Sequence, residues 1–266
     1  MQDHLFTIWL TDKDWDGMPY LWEICIASAQ VFNKKKVKIY TNHKLHLSFL
    51  DRKITEVIQL DKYLVDMAEQ IDPDSKAHQS DYIRLKLLEK YGGIYLDTDI
   101  LFWKDFGEIW NKFVQSGKSI LYPMEDKYMF TNCMIMCCDP VKARPFFDNM
   151  LREYETRFIR HSYLHNSQKM IDLMHRRYDV IYPYCEPSLF EVKWNYTGYL
   201  EELLEGTCAG IGQHLFSSNV EWENFRDNLD INCYSLEPKY FPEKLTKIVI
   251  DKYIDLMKEA DNEYTK

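Results

Sequence analysis

Residues 77–103, AHQSDYIRLKLLEKYGGIYLDTDILFW, constrain this chain more than any other stretch. Ile83, Leu87, Leu88 and Tyr91 recur at helical spacing and predict a helix with that face buried. Asp81 and Arg84, three apart, can meet on one side of it. Gly92 and Gly93 end the helix as a left-handed C-terminal residue requires. Ile94, Tyr95 and Leu96 open a strand in which Asp97 and Asp99 are expected on the same face. Two neighbouring carboxylates repel each other, and they make most sense around a cation.

The rest of the chain supplies the setting. Leu5 to Leu10 reads as a buried strand, TDKDWDGMP as a turn region, and Tyr20 to Phe32 as a helix closed by Asn33 and three lysines. Strands follow over Val37 to Tyr40 and Ile54 to Leu60. Strand, helix, strand, helix, strand implies an α/β fold with a parallel sheet covered on both faces. Ligands of such sheets sit beyond the carboxyl ends of the strands. Those ends carry Thr11-Asp12, Thr41-Asn42 and Asp97-Asp99, so polar groups collect where a site belongs. Further on, helices are expected over Phe106 to Ser116, Pro140 to Phe158 and Gln168 to Arg177. Strands are expected over Ile120 to Tyr122 and Cys133 to Cys138. Short strands and loops fill Ile181 to Phe216, and an amphipathic helix over Pro242 to Ala260 closes the chain. The organisation expected is a main domain over 1–240 with a C-terminal helical extension, 241–266, packed on it.

Composition narrows the function classes. A hydrophobic content of 46% in 266 residues supports a large core rather than a disordered chain. The net charge of −9 and isoelectric point near 5.4 argue against free nucleic acid, whose binders carry a basic face. An acidic protein that binds a phosphate compound needs something to offset the repulsion, and a divalent cation on Asp97 and Asp99 would do so. The 19 tyrosines and 7 tryptophans suit stacking on bases or sugar rings, and equally suit core filling. Seven cysteines (Cys25, Cys133, Cys137, Cys138, Cys185, Cys208, Cys233) form no C-x-x-C pair and leave an odd one, which points to reduced thiols. With no 18-residue apolar run and no signal-peptide pattern, the expected location is cytoplasmic. Asn195-Tyr196-Thr197 then reads as an accidental glycosylation acceptor. Between 142 and 177 the basic residues Lys142, Arg144, Arg152, Arg157, Arg160, Lys169, Arg176 and Arg177 outnumber the acids. They fit peripheral contact with the inner face of an anionic membrane, and equally a solvated helix face.

A bare D-x-D is common in an acidic chain. Preceded by S-D-x-x-R and G-G-x-Y within one helix–strand unit, it becomes specific. SDYIRLKLLEKYGGIYLDTDI resembles the D-x-D region of the sugar-nucleotide glycosyltransferases that include initiating mannosyltransferases, capsular polysaccharide transferases and, more distantly, the glucosylating clostridial toxins. TIWL resembles that family's first-strand element, TNCMIMCCDP its Asn-containing segment, and GIGQHLFSSNVEW its C-terminal His…Ser-Trp element. Thr11 stands where the family has glycine, and its Ser-Trp pair is here split into Ser218 and Trp222.

The resemblance implies a GT-A-like domain, a Rossmann-like mixed sheet flanked by helices. It also implies metal-dependent transfer of a hexose from a nucleotide sugar to a glycan or lipid-linked saccharide, with retained configuration. On these matches Trp9 would stack on the base, and Asp81, Arg84 and Asn132 would hold the donor sugar. Asp97 would contact ribose and sugar, and Asp99 would bind Mn²⁺ or Mg²⁺. His214 with Ser217 or Ser218 would complete the metal side, and Trp222 would close over the diphosphate. A UDP-sugar is favoured on the Trp9 match, with GDP-mannose as the other candidate. Taken alone, Asp81–Arg84 would read as a surface ion pair, Trp9 as core and Tyr95 as packing. Two rival classes stand beside this one. A D-x-D phosphatase with an aspartyl nucleophile would carry its motif after the first strand. A non-catalytic sugar-binding protein could share the fold without needing both acids.

Overall fold

In a computed structural model, the structure describes residues 4–126, 129–159, 169–184, 211–214 and 249–258. The N-terminal part alternates as expected. Strand β1 (Leu5–Ile8) leads through a short β2 (Asp16–Gly17) into helix α1 (Tyr20–Asn33) and strand β3 (Val37–Thr41). Lys34 ends α1 in the left-handed region, at φ 49°. After β4 (Leu45–His46) and β5 (Thr55–Gln59) come two helices, α2 (Lys62–Ile71) and α3 (Lys76–Tyr91). Next are β6 (Gly93–Leu96), β7 (Ile100–Phe102), α4 (Gly107–Gln115), β8 (Ile120–Asp126), β9 (Met129–Phe130) and β10 (Met134–Cys137). Helices α5 (Pro140–Arg157) and α6 (Met170–Arg177) precede β11 (Ile181–Tyr184) and β12 (Gly212–His214). A last helix covers 249–258.

Among the described residues the main sheet has eight strands, ordered β11-β8-β10-β6-β1-β3-β5, with β9 paired to β8 off that path. The pairs β6–β1, β1–β3 and β3–β5 are parallel, as the strand–helix alternation predicts. β10 runs antiparallel to both β6 and β8, so the sheet is mixed and not wholly parallel. Period-two alternation feeds two cores. Leu5, Ile94, Leu96, Met134 and Met136 face one, with Trp22, Ile26, Trp110 and Tyr253 from α1, α4 and helix 249–258. Phe6, Tyr95, Ile135, Ile120 and Tyr122 face the other, with Ile83, Leu88, Phe147 and Met174 from α3, α5 and α6. A sheet covered on both faces is what such alternation of apolar residues demands.

One connection departs from the expected pattern. Between β3 and β5 there is no helix, and the chain crosses in a loop around β4. Glu23 of α1, fully buried, holds that loop. Its Oε1 accepts from Ser48 N at 2.8 Å and Ser48 Oγ at 2.7 Å; its Oε2 accepts from Phe49 N at 2.7 Å and Leu50 N at 2.8 Å. A buried carboxylate with four donors does the work of the missing helix by satisfying backbone groups that would otherwise lie unpaired.

Helix 249–258 closes against the same loop. Tyr253 Oη accepts from Asp51 N at 2.8 Å, and its ring lies 4.9 Å from that of Phe49. The start of the expected Pro242–Ala260 helix lies outside the described residues, as do Cys185, Cys208, Cys233 and Asn195-Tyr196-Thr197. Among the described residues, Cys25, Cys133 and Cys137 are buried and Cys138 is half-buried. Among the described residues no helix is long and apolar enough to cross a membrane.

Candidate functional site

Helix α3 delivers the first half of the site. Ser75 caps it by accepting from His78 N at 3.3 Å, and buried Asp72 meets His78 Nδ1 at 2.7 Å. Gln79 Nε2 donates to Asp72 O at 2.8 Å, so the first turn is pinned from two sides. One turn later Asp81 and Arg84 point inward as an i,i+3 ion pair, and only 3% of Asp81 is exposed. They do not form the surface pair that isolated reading would assign. Arg84 Nη1 donates to Asn132 O at 2.6 Å, and Asn132 Nδ2 donates to Asp81 Oδ1 at 3.1 Å. Asn132, just before β10, is thus drawn to α3 from 48 residues beyond Arg84.

The D-x-D supplies the second half. Gly92 and Gly93 both take positive φ, 62° and 100°, to turn the chain from α3 into β6. A Cβ on Gly93 would lie 2.2 Å from His4 O, so the strand can enter beside β1 only with glycine there. β6 ends at Leu96. Asp97 and Asp99 therefore do not share a strand face as expected; Asp97 follows the strand end, and Thr98 and Asp99 form a turn leading into β7. Aspartates favour turns, and the chain changes sheets here, β7 pairing with β12. Asp97 N donates to Cys133 O at 2.7 Å, tying the turn to the start of β10. Asp97 Oδ1 lies 3.3 Å from Arg84 Nη1 and accepts from Tyr95 Oη at 2.5 Å. The guanidinium of Arg84 sits over the Tyr95 ring at 4.4 Å.

Asp81, Arg84, Asn132 and Asp97 thus form one network, and Tyr95 belongs to it. Tyr95 does pack, and it also orients Asp97 and Arg84. The signal for this was proximity: Tyr95 and Asp97 lie only two residues apart in the sequence. Burial pushes the Asp81 carboxyl above its usual range, opposed by Arg84, His78 and Asn132. Burial alone would lower the Arg84 guanidinium; Asp81, Tyr95 and Asp97 reverse this and hold it charged. Burial also drives the Tyr95 phenol up, so it remains a hydrogen-bond donor. Between Asp81, Arg84, Tyr122, Asn132 and Tyr154 lies a space of about 10 Å³, on the scale of one water.

Asp99 is 7% exposed and lies close enough to buried Cys25 to add to the upward push that burial gives that thiol. In the β12–β7 ladder, His214 is opposite Ile100, so the backbone of His214 runs beside the residue that follows Asp99. The His214 side chain, Ser217, Ser218 and Trp222 lie outside what the structure describes. Among the described residues no three His, Cys, Asp or Glu side chains converge as a metal cage. Two hard carboxylates at a turn nevertheless fit Mg²⁺ or Mn²⁺, which are commonly held by one or two carboxylates plus substrate phosphates.

Trp9 follows β1, its N–H donating to Tyr40 O at 2.9 Å, and is half-buried against the first core. Its indole Nε1 is buried and has no hydrogen-bond partner among the described residues. Beside it Thr11 and Asn42 lock the ends of β1 and β3 together. Thr11 N donates to Asn42 Oδ1 at 2.9 Å, and Asn42 Nδ2 to Thr11 O at 2.8 Å. Thr11 fills its position with a side chain whose Oγ1 bonds Lys13 O at 3.1 Å. Lys76 at the start of α3 reaches Asp12 at 3.4 Å and ties this loop to the helix that carries Asp81. Within the basic segment, Arg157 pairs with Glu153 at 3.2 Å and Arg176 with Asp172 at 2.8 Å, while Lys142 Nζ donates to Gly117 O at 2.6 Å.

Comparison with known proteins addresses this geometry. Residues 15–117 match the family model for the glycosyltransferase sugar-binding region containing the DXD motif. That span holds Asp81, Arg84, Asp97 and Asp99, whereas Trp9, Asn132, His214, Ser218 and Trp222 fall outside it. No curated protein matches the chain in sequence. Among solved structures, the glycosyltransferase GlyE of Streptococcus pneumoniae is similar with a TM-score of 0.52 at 10% identity, over 97% of this chain and 64% of that one. At that identity the likeness is one of fold. Mouse xyloside xylosyltransferase 1 (12% identity, 81% of this chain and 98% of that one, TM-score 0.47) is also similar. So is the PaToxG glycosyltransferase (16% identity, 66% and 68%, TM-score 0.46). Residues 15–117 of the chain therefore match the D-x-D sugar-binding region of glycosyltransferases, and its α/β fold is similar to that of the glycosyltransferase GlyE.

Proposed function

We propose that this enzyme moves a hexose from a nucleotide sugar, a UDP-sugar before GDP-mannose, to a glycan or lipid-linked saccharide, with Mn²⁺ or Mg²⁺ and with retention of configuration. The observation that carries the reading is the Asp81–Arg84–Asn132–Asp97 network beside Asp99. Such a network offers both donors and acceptors on rigid elements, which is what orienting a polyhydroxyl ring requires. Asp81, Arg84 and Asn132 hold the sugar hydroxyls, and Asp97 reaches ribose and sugar. Trp9, half-buried at the end of β1, takes the base. Asp99 and Asp97 hold the cation with His214 and Ser218, and Trp222 closes over the diphosphate.

In the transfer the bond between anomeric carbon and diphosphate oxygen breaks. A bond from that carbon to the acceptor oxygen forms on the same face, and the acceptor proton passes to the departing diphosphate oxygen. A divalent ion bound there would offset the charge that develops on that diphosphate. Arg84, held charged in a buried setting, keeps Asp97 and Asp81 in register while this happens. We further read residues 1–240 as the catalytic domain with 241–266 packed on it, and the setting as cytoplasmic with peripheral contact to a membrane bearing the acceptor. The test is donor hydrolysis and transfer across a panel of UDP- and GDP-sugars with and without Mn²⁺. Turnover of one donor only with metal is expected. No hydrolysis, transfer or binding of any donor would overturn the reading.

A further inference from the structure

A second concavity lies on the other side of α3 from Asp81 and Arg84. It is a groove of about 690 Å³ between α2, α3 and α5, within the roughly 300–1,000 Å³ span of ligand clefts. Four tyrosines line it: Tyr40, Tyr63, Tyr82 and Tyr91. Tyr63 is 72% exposed and Tyr91 46% exposed, unusual for aromatic rings that a core could have absorbed. Around them stand three basic groups, Lys86, Lys90 and Arg144, and three acidic ones, Asp61, Glu89 and Glu155. Several are already oriented. Tyr82 Oη donates to Glu155 at 2.8 Å, Lys86 Nζ lies 3.9 Å from Glu89, and Lys90 Nζ sits 4.9 Å over the Tyr91 ring.

We propose that this groove binds a neutral oligosaccharide, at a site separate from the donor site. The balance of three positive against three negative charges gives no net pull on an anion or a cation, which disfavours nucleotides and polyamines. Tyrosine rings offer apolar faces to the C–H face of a sugar ring, and the surrounding carboxylates, ammonium groups and guanidinium offer hydrogen bonds to its hydroxyls. Partly buried Ile58, Leu64 and Met67 form the apolar floor of the groove, and its exposed large hydrophobic side chains among the described residues are Tyr63 and Tyr91. The proposal stands on the lining of the groove, independently of the donor reading, so the two fail separately.

The test is saturation-transfer NMR on the full chain with cellotetraose, maltotetraose and mannotetraose at about millimolar concentration, where weak carbohydrate binding is read. Transfer to the ring C–H protons of at least one probe is expected, unchanged by saturating UDP with Mn²⁺. The signal should fall about fivefold or more in Tyr63→Ala, as loss of a stacking face weakens a weak complex, and persist in Tyr63→Phe. Tyr63 is exposed, so neither change threatens the fold. Absence of transfer from all three probes overturns the proposal, as does transfer that survives in Tyr63→Ala or that UDP displaces.

Discussion

Tyr95 illustrates what a single side chain contributes to this site. Its hydroxyl fixes Asp97 while its ring carries Arg84, so one residue sets the distance between Arg84 and the first acid of the D-x-D. Removing the hydroxyl leaves the ring and the packing in place. Tyr95→Phe should therefore lower turnover by about tenfold to a hundredfold, the value of a hydrogen bond to a charged group, while the melting temperature moves by less than about 5 °C. Turnover equal to wild type would assign Tyr95 to packing alone. Residue chemistry at the acids was legible in the sequence because Asp81, Arg84, Asp97 and Asp99 sit in one 19-residue unit. The path of the chain through Asp97 and Asp99 was not. An Asp-Thr-Asp run suits a turn as well as a strand end, and the choice depends on β7 leaving for β12, which local periodicity does not record.

At the scale of elements, two joints decide whether the site is presented. The first is the β3–β5 crossover, where Glu23 replaces a helix with four accepted hydrogen bonds. Glu23→Gln puts an NH₂ group against backbone donors and should cost about 3 kcal/mol of stability, measurable by urea denaturation. A loss below about 1 kcal/mol would mean the loop holds itself. A glutamate in a helix's first turn reads as an ordinary surface acid, so nothing local announced this role.

The second joint is the α3–β6 turn, where His4 packs beside the glycines. Its Nδ1 meets Gly92 O at 2.8 Å, and its Nε2 meets Tyr40 Oη at 3.1 Å. Burial lowers the His4 imidazole below its usual value of 6.5, outweighing the contact with Gly92 O. The unfolded chain then binds more protons than the native one between the depressed value and 6.5. Stability from this group is full above about pH 6.5 and is lost as the pH falls through the folded value. Urea midpoints at pH 7.5 and pH 5 should thus differ more in wild type than in His4→Gln. Equal pH dependence in the two proteins would remove His4 as the cause.

Across the whole molecule, the sheet joins pieces that sequence order keeps apart. In the parallel half, β6-β1-β3-β5, the run β1-β3-β5 was legible from successive strands close in the chain, whereas β6 returns beside β1, pairing Ile94 with Leu5. The placement of β10 between β6 and β8 was not legible, since antiparallel insertion depends on pairing across the sheet rather than on local pattern. Asn132 reaches Asp81 only through that insertion, which is why its contact with α3 comes from the fold and not from spacing. The same holds for His214, brought opposite Ile100 from far along the chain. The groove on the outer side of α3 had no sequence signature at all; its tyrosines are scattered over α2, α3 and β3.

The central claim is that Asp99 serves a metal-dependent sugar transfer. Its most direct measurement is UDP release from the donor selected in the panel, for wild type and Asp99→Asn, with Mn²⁺ titrated from zero to millimolar levels. Asparagine keeps the volume of this buried side chain and so preserves the fold, which circular dichroism checks. The account predicts Mn²⁺-dependent release in wild type and release reduced by about a hundredfold or more in Asp99→Asn at every metal concentration, the loss expected when a group stabilising developing charge is removed. Wild-type release by Asp99→Asn, with the same response to Mn²⁺, would contradict it.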